Sequence, residues 1–170
     1  QAGGADFRLL DYAQIAAGFL LSCAIAQEVP AVAEGAARRS ELLAGLRELP
    51  EAMEATLARR ATIAEAAQEL APSRRYWAIV GSGANQVAAE EIRIKLSELC
   101  YKAIASDAIE DKKHIDLSSE PLILVCAAGL VGSNADDVAK EVAIYRAHKA
   151  TPIVVATEDE DRFNAALRVL

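Results

Sequence analysis

Glu91, Lys95 and Glu98 fall four and three residues apart in a stretch of helical character, so all three share one helix face. Two carboxylates flanking an ammonium could serve general acid–base chemistry. One carboxylate would have to be desolvated enough to act as a base near neutral pH. The same spacing also describes an exposed, ion-paired stripe, the commoner fate of such charges. His114, preceded by Lys113, is one of two histidines in the chain. Imidazole moves protons near pH 7, although a lone histidine after Glu110 and Asp111 also reads as an ordinary surface residue. His148 closes a helical stretch, where the helix dipole explains a histidine.

Two glycine turns could hold a ligand. Gly81-Ser82-Gly83 stands where a strand passes into a helix, the place where open α/β sheets bind small molecules. The third glycine of a dinucleotide fingerprint is replaced by Gln86, and no acidic residue is expected to end a second strand at the right offset. A tight turn needed for close strand–helix packing is the alternative. The loop AAGLVGSN (127–134) also joins a strand to a helix, but Asp136 and Asp137 follow and would repel phosphate, so a capped turn reads better. No Walker-type loop and no GxSxG motif occurs. Cys23, Cys100 and Cys126 show no metal-binding spacing; each lies in an apolar run and reads as a small buried thiol. No metal and no cofactor is expected.

The elements that must position these groups change character at Pro72. Before it, residues 9–28, 40–50, 49–60 and 61–70 read as helices, with Pro50 in a first helical turn. After it, strands are expected at 75–83, 101–106, 120–129 and 151–157, alternating with helices at 85–100, 133–149 and 159–170. The run EPLILVCAAG is continuously apolar, as a parallel strand buried on both faces should be. This alternation predicts a three-layer α/β/α domain with a parallel sheet over 73–170, preceded by a helical segment over 1–72 that packs on the domain or on a partner.

Bulk composition narrows the partners. The net charge of −7 leaves no basic face for nucleic acid. The apolar run Tyr12–Ala26 is about 15 residues long, short of the roughly 20 that span a bilayer, and reads as a buried or interface helix. No membrane partner is expected, and free thiols suit the cytoplasm. The opening QAGGADF and the closing RVL suggest a fragment of a longer polypeptide.

Read together, these residues resemble a known pattern. The series Val80-Gly81-Ser82-Gly83, Glu91-x-x-x-Lys95-Leu96-x-Glu98-x-x-Tyr101 and Lys113-His114 is similar to the second sugar-isomerase (SIS) domain of the glucosamine-6-phosphate synthases, the glutamine–fructose-6-phosphate aminotransferases. The stretch LLAGLRELPEAMEATL (42–57) resembles the helical lead-in to that domain, and the similarity spans roughly 10–163. The resemblance implies an SIS-type fold and isomerisation of fructose 6-phosphate to glucosamine 6-phosphate. Glu98 matches the family's general base, Lys95 the cation that steadies the developing enolamine, and His114 the ring-opening histidine. Glu91 and Lys113 match supporting positions, and Gly81, Ser82 and Gly83 the turn beside the substrate. The family donates its histidine to a neighbouring subunit, so a homodimer is implied, with a first SIS domain and a glutaminase domain elsewhere in the full-length protein.

The departures are specific. Ile115-Asp116 replaces the family's Gly-Pro after the histidine, and Glu110-Asp111-Lys112 replaces Gly-Glu-Leu before Lys113-His114. The Ser-x-Ser-Gly-x-Thr phosphate loop of the first SIS domain has no counterpart here. The alternative function is therefore a non-catalytic SIS module that senses a phosphosugar or mediates dimerisation.

Overall fold

The computed structural model describes residues 3–29, 36–114, 117–158, 160–163 and 167–169. The chain divides into two compact units, Gln1–Leu57 and Ala58–Leu170. The first contains α1 (Gly3–Glu28) and most of α2 (Ala36–Ala58). α1 is apolar, yet its Ile15, Leu21 and Ile25 are exposed rather than buried. α2 runs unbroken through Pro50, where two helices were expected to meet. A proline inside a helix loses one backbone bond and costs about 3 kcal/mol. The leucines, alanines and glutamates on either side are strong helix formers that carry the helix across it.

The second unit opens with α3 (Arg60–Leu70) and continues as β1 (Trp77–Gly81), α4 (Ala84–Cys100), β2 (Ala105–Asp107), α5 (Ile109–Lys112), a 3-10 turn (Leu117–Ser119), β3 (Leu122–Cys126), α6 (Gly132–Ala147), β4 (Thr151–Val155) and β5 (Leu167–Val169). The sheet order among the described residues is β2-β1-β3-β4-β5, and every pair is parallel. This is the three-layer α/β/α architecture, preceded by helices, that the alternation predicts.

Strand periodicity divides the core between the two faces of the sheet. Val80, Ile123, Val125 and Val154 pack with Ile109 of α5 and with Val142 and Tyr145 of α6. Ile79, Cys126 and Leu124 pack on the opposite face with Ala89, Ile92 and Leu96 of α4. α3 lies on that second face too, and an apolar cavity of about 380 Å3 separates its Ile63 and Ala67 from Leu96, Leu124 and Ile153.

Two expected elements differ. The strand expected from Tyr101 begins at Ala105, because Tyr101 takes a left-handed conformation (φ 50°) that ends α4, its N–H donating to the carbonyl of Ser97. The helix expected over 159–170 is not a helix at Asp161–Phe163, and 167–169 pair with β4 as a strand. The unpaired edge of β4 outweighs the helical pattern of that segment. Residues 159, 164–166 and 170 lie outside the described residues.

Candidate functional site

β1 is followed by α4 on one face of the sheet, whereas β3 is followed by α6 on the other. The crevice beyond the C-terminal ends of β1 and β3 is thus the topological switch point, where doubly wound sheets bind ligands. One wall is Gly81-Ser82-Gly83 and the other is the loop after Cys126. Asn85 Nδ2 donates to the carbonyl of Ala128 at 3.0 Å, joining the two walls. The Gly129 N–H donates to Thr157 Oγ1 at 2.8 Å, and the Ile109 N–H donates to Ser82 Oγ at 3.4 Å.

Gly81 is buried, and a Cβ there would lie 2.2 Å from the carbonyl oxygen of Asn85. Close strand–helix packing therefore requires this glycine. Gly83 and Gly129 have φ of 60° and 71°, a region that disfavours side chains. Asp136 and Asp137 do not leave the start of α6 bare of positive charge. Arg162 pairs with Asp136 at 3.0 Å and also donates to the Gly132 carbonyl, while Lys140 pairs with Asp137 at 3.0 Å. Hydrogen bonding to Glu160 and then to Asp136 raises the guanidinium pKa further. Arg162 was missed in the sequence because it falls in a stretch with a helical pattern.

The Glu91–Lys95–Glu98 triad lies on the outer side of α4, facing away from Ala89, Ile92 and Leu96. Lys95 Nζ sits 3.8 Å from Glu91 and 3.7 Å from Glu98, and the Glu98 side chain is 64% exposed. Each such surface pair is worth about 0.3–0.5 kcal/mol. Glu98 lies in the last turn of α4, about 22 Å along the helix from Gly83 at 1.5 Å per residue. The structure does not bring Glu98 to the Gly81–Gly83 turn.

His114 and Lys113 follow α5, on the opposite face of the sheet from α4. His114 is exposed, and its N–H donates to the Asp111 carbonyl at 3.0 Å. Lys113 reaches Glu141 of α6 at 2.7 Å and Glu110 at 3.4 Å, and hydrogen bonding to Glu141 is the main cause of its raised pKa. Glu98 and His114 are therefore not brought together within one chain. Ile115 and Asp116, which replace the family's Gly-Pro, lie outside the described residues.

One expectation is overturned directly: an acidic residue does end the second strand. Asp107 closes β2, and its Oδ2 is buried with no hydrogen-bond partner among the described residues. Its register opposite Val80 turns it toward α5 and α6, away from α4. Burial, and after it the charges of Glu141 and Asp107, raise the pKa of Tyr145, whose hydroxyl donates to the Ile109 carbonyl. The acid thus belongs to this polar cluster under the helices rather than to a ribose site.

The cysteines divide. Cys126 is buried and its pKa is pushed up to about 11 by burial, Cys23 is half-buried, and Cys100 is exposed at the end of α4, against the expectation of three buried thiols. No group of three or more metal-binding side chains occurs among the described residues. Nor is any described helix long and apolar enough to cross a membrane.

The sheet order and the crossovers to both faces define a doubly wound α/β fold, consistent with the SIS type. No family model matches the chain, and no curated protein matches it in sequence. Among solved structures, the fold is similar to the C-terminal domain of glucosamine-fructose-6-phosphate aminotransferase from Francisella tularensis, with a TM-score of 0.64 at 14% identity. The match covers 77% of this chain and 38% of that one, so the chain spans less than half the length of its structural relative. At that identity the likeness is one of fold.

Proposed function

We propose that this chain is a phosphosugar-binding SIS module whose acid–base side chains serve a site completed by a second copy or a further domain. The observation that carries this reading is the split of the candidate residues between two faces of the sheet. Glu91, Lys95 and Glu98 project outward from α4, while His114 follows α5 on the opposite face. A base and a ring-opening group so separated can act on one substrate only across an interface. In that site Glu98 is the base that moves the proton between C1 and C2 of fructose 6-phosphate, Lys95 steadies the developing charge with Glu91 in support, and His114 opens the ring. Burial against the partner would supply the desolvation that Glu98 lacks in the single chain.

Mixing two variants tests this. Glu98→Gln and His114→Asn are each expected to abolish conversion of fructose 6-phosphate to glucose 6-phosphate or, with glutamine, to glucosamine 6-phosphate. Mixed and allowed to exchange, they should recover about a quarter of the wild-type rate, because half of randomly paired dimers carry one intact site. No recovery from two folded, dimeric variants would refute the shared site.

A second reading rests on the ion pair of Glu98, whose exposed carboxylate lies 3.7 Å from Lys95. It is a module that binds the sugar phosphate without converting it. An unmixed wild-type protein that binds fructose 6-phosphate and forms neither product would favour it.

A further inference from the structure

A second cavity, of about 370 Å3, lies at the end of the sheet where β1, β2 and β3 begin, opposite the switch-point crevice. Its walls include Tyr76, Trp77, Ala105, Ser119, Pro121 and Lys112. Lys112 is 5% exposed. Among the described residues its ammonium has neither a hydrogen bond nor an ion pair. The lysines around it differ: Lys113 is held by Glu141 and Glu110, and Lys102 donates to the Arg74 carbonyl at 3.2 Å. The fold covers the stem of this side chain, so the cavity is the side from which a counter-charge can reach its ammonium.

Two further cations stand over the aromatic rings of the wall residues. Lys102 Nζ lies 4.3 Å from the centre of the Trp77 ring, and the Arg75 guanidinium lies 5.4 Å from that of Tyr76. Glu120, the acid next to Pro121, is engaged by Arg74 at 3.6 Å and by Lys149 at 3.7 Å.

We propose that this cavity binds a small organic anion whose phosphate or carboxylate pairs with Lys112 while its body lies against Trp77 and Tyr76. The volume falls within the range of small-molecule sites, roughly 300–1,000 Å3. The site is separate from the α4 stripe and from the Gly81–Gly83 turn, so it stands or falls independently of the shared catalytic site.

Trp77 is the single tryptophan of the chain; it lines this cavity and the apolar one under α3, so its fluorescence reports on both and the Lys112 variants assign the response to this one. The protein is titrated at fixed ionic strength with inorganic phosphate and, separately, with acetate. A saturable change with one of the two is expected, and which one responds identifies the anionic group. Lys112→Met should weaken the response by about tenfold or more, the loss of one charge-assisted bond, while Lys112→Arg should keep it. If Lys112→Met does not fold by circular dichroism, Lys112→Gln repeats the comparison with a polar side chain. Silence of Trp77 toward both anions would overturn the proposal, as would equal midpoints in the wild type and the folded neutral variant. Stabilisation by phosphate with unchanged Trp77 emission would place the anion elsewhere and overturn it too.

Discussion

Replacing Gly81 with alanine sets a methyl group 2.2 Å from the carbonyl oxygen of Asn85, 2.4 Å from its carbonyl carbon and 2.8 Å from the amide nitrogen of Gln86. All three are backbone atoms, so no side chain can swing aside. The first turn of α4 must retreat by about 1 Å to reach ordinary contact distance. That retreat pulls on Ala89, which is fully buried against Ile79, and opens the 3.0 Å bond from Asn85 to the Ala128 carbonyl. Overpacking of this kind costs about 1–3 kcal/mol and the lost hydrogen bond about 1 kcal/mol. The sum, about 2–4 kcal/mol, is a large share of the 5–15 kcal/mol that holds a typical domain together. Urea unfolding followed by Trp77 fluorescence and far-ultraviolet circular dichroism measures it. Gly45→Ala is the contrast: it lies inside α2 with nothing within 4 Å of the added methyl, and it should gain about 1 kcal/mol of helix stability. A Gly81→Ala protein within about 0.5 kcal/mol of the wild type would refute the close-approach argument.

Two further outcomes concern the thiols. Cys126 has its pKa raised from 9.0 to about 11 by burial, so its share of stability is fully present below pH 9 and is lost as pH rises through 11. That share is about 3 kcal/mol, of which about 2 kcal/mol is lost by pH 11; unfolding free energies measured from pH 8 to 11 should fall accordingly, and less steeply in Cys126→Ala. In the native protein Cys100 should react rapidly with a thiol reagent at pH 8 and Cys126 only on unfolding, because one is exposed and the other buried. Rapid native labelling of Cys126 would contradict its burial.

Much of the α/β unit is legible in the sequence because its strands are buried on both faces. Trp77–Gly81, Leu122–Cys126 and Thr151–Val155 are apolar runs bounded by turns, and the intervening helices carry whole turns of periodic alanine, isoleucine and leucine. What the sequence hides is set by tertiary contact. α5 is four residues long, too short for periodicity, and its Lys112 reads as a solvated charge although the fold buries it. β5 is made by the free edge of β4, not by local preference. Tyr101 ends α4 with a positive φ that nothing in its residue type announces, and this displaces β2 so that Asp107 closes it. For the candidate site, residue types and spacing offer Glu91, Lys95, Glu98 and His114 only as candidates, and the resemblance supplies their roles. They say nothing of which face of the sheet each one occupies, and that placement decides whether a single chain can use them together.

The outer strands of the sheet have a consequence for solubility. β2, at one edge, is three residues long, whereas β1, β3 and β4 inside the sheet are five each among the described residues. A foreign strand laid along the β2 border would meet a ladder too short to hold it, so that edge is a poor template for cross-chain β-pairing. The long apolar strands, which in isolation have the composition of aggregation-prone segments, are enclosed by the outer strands and are reached only when the domain opens.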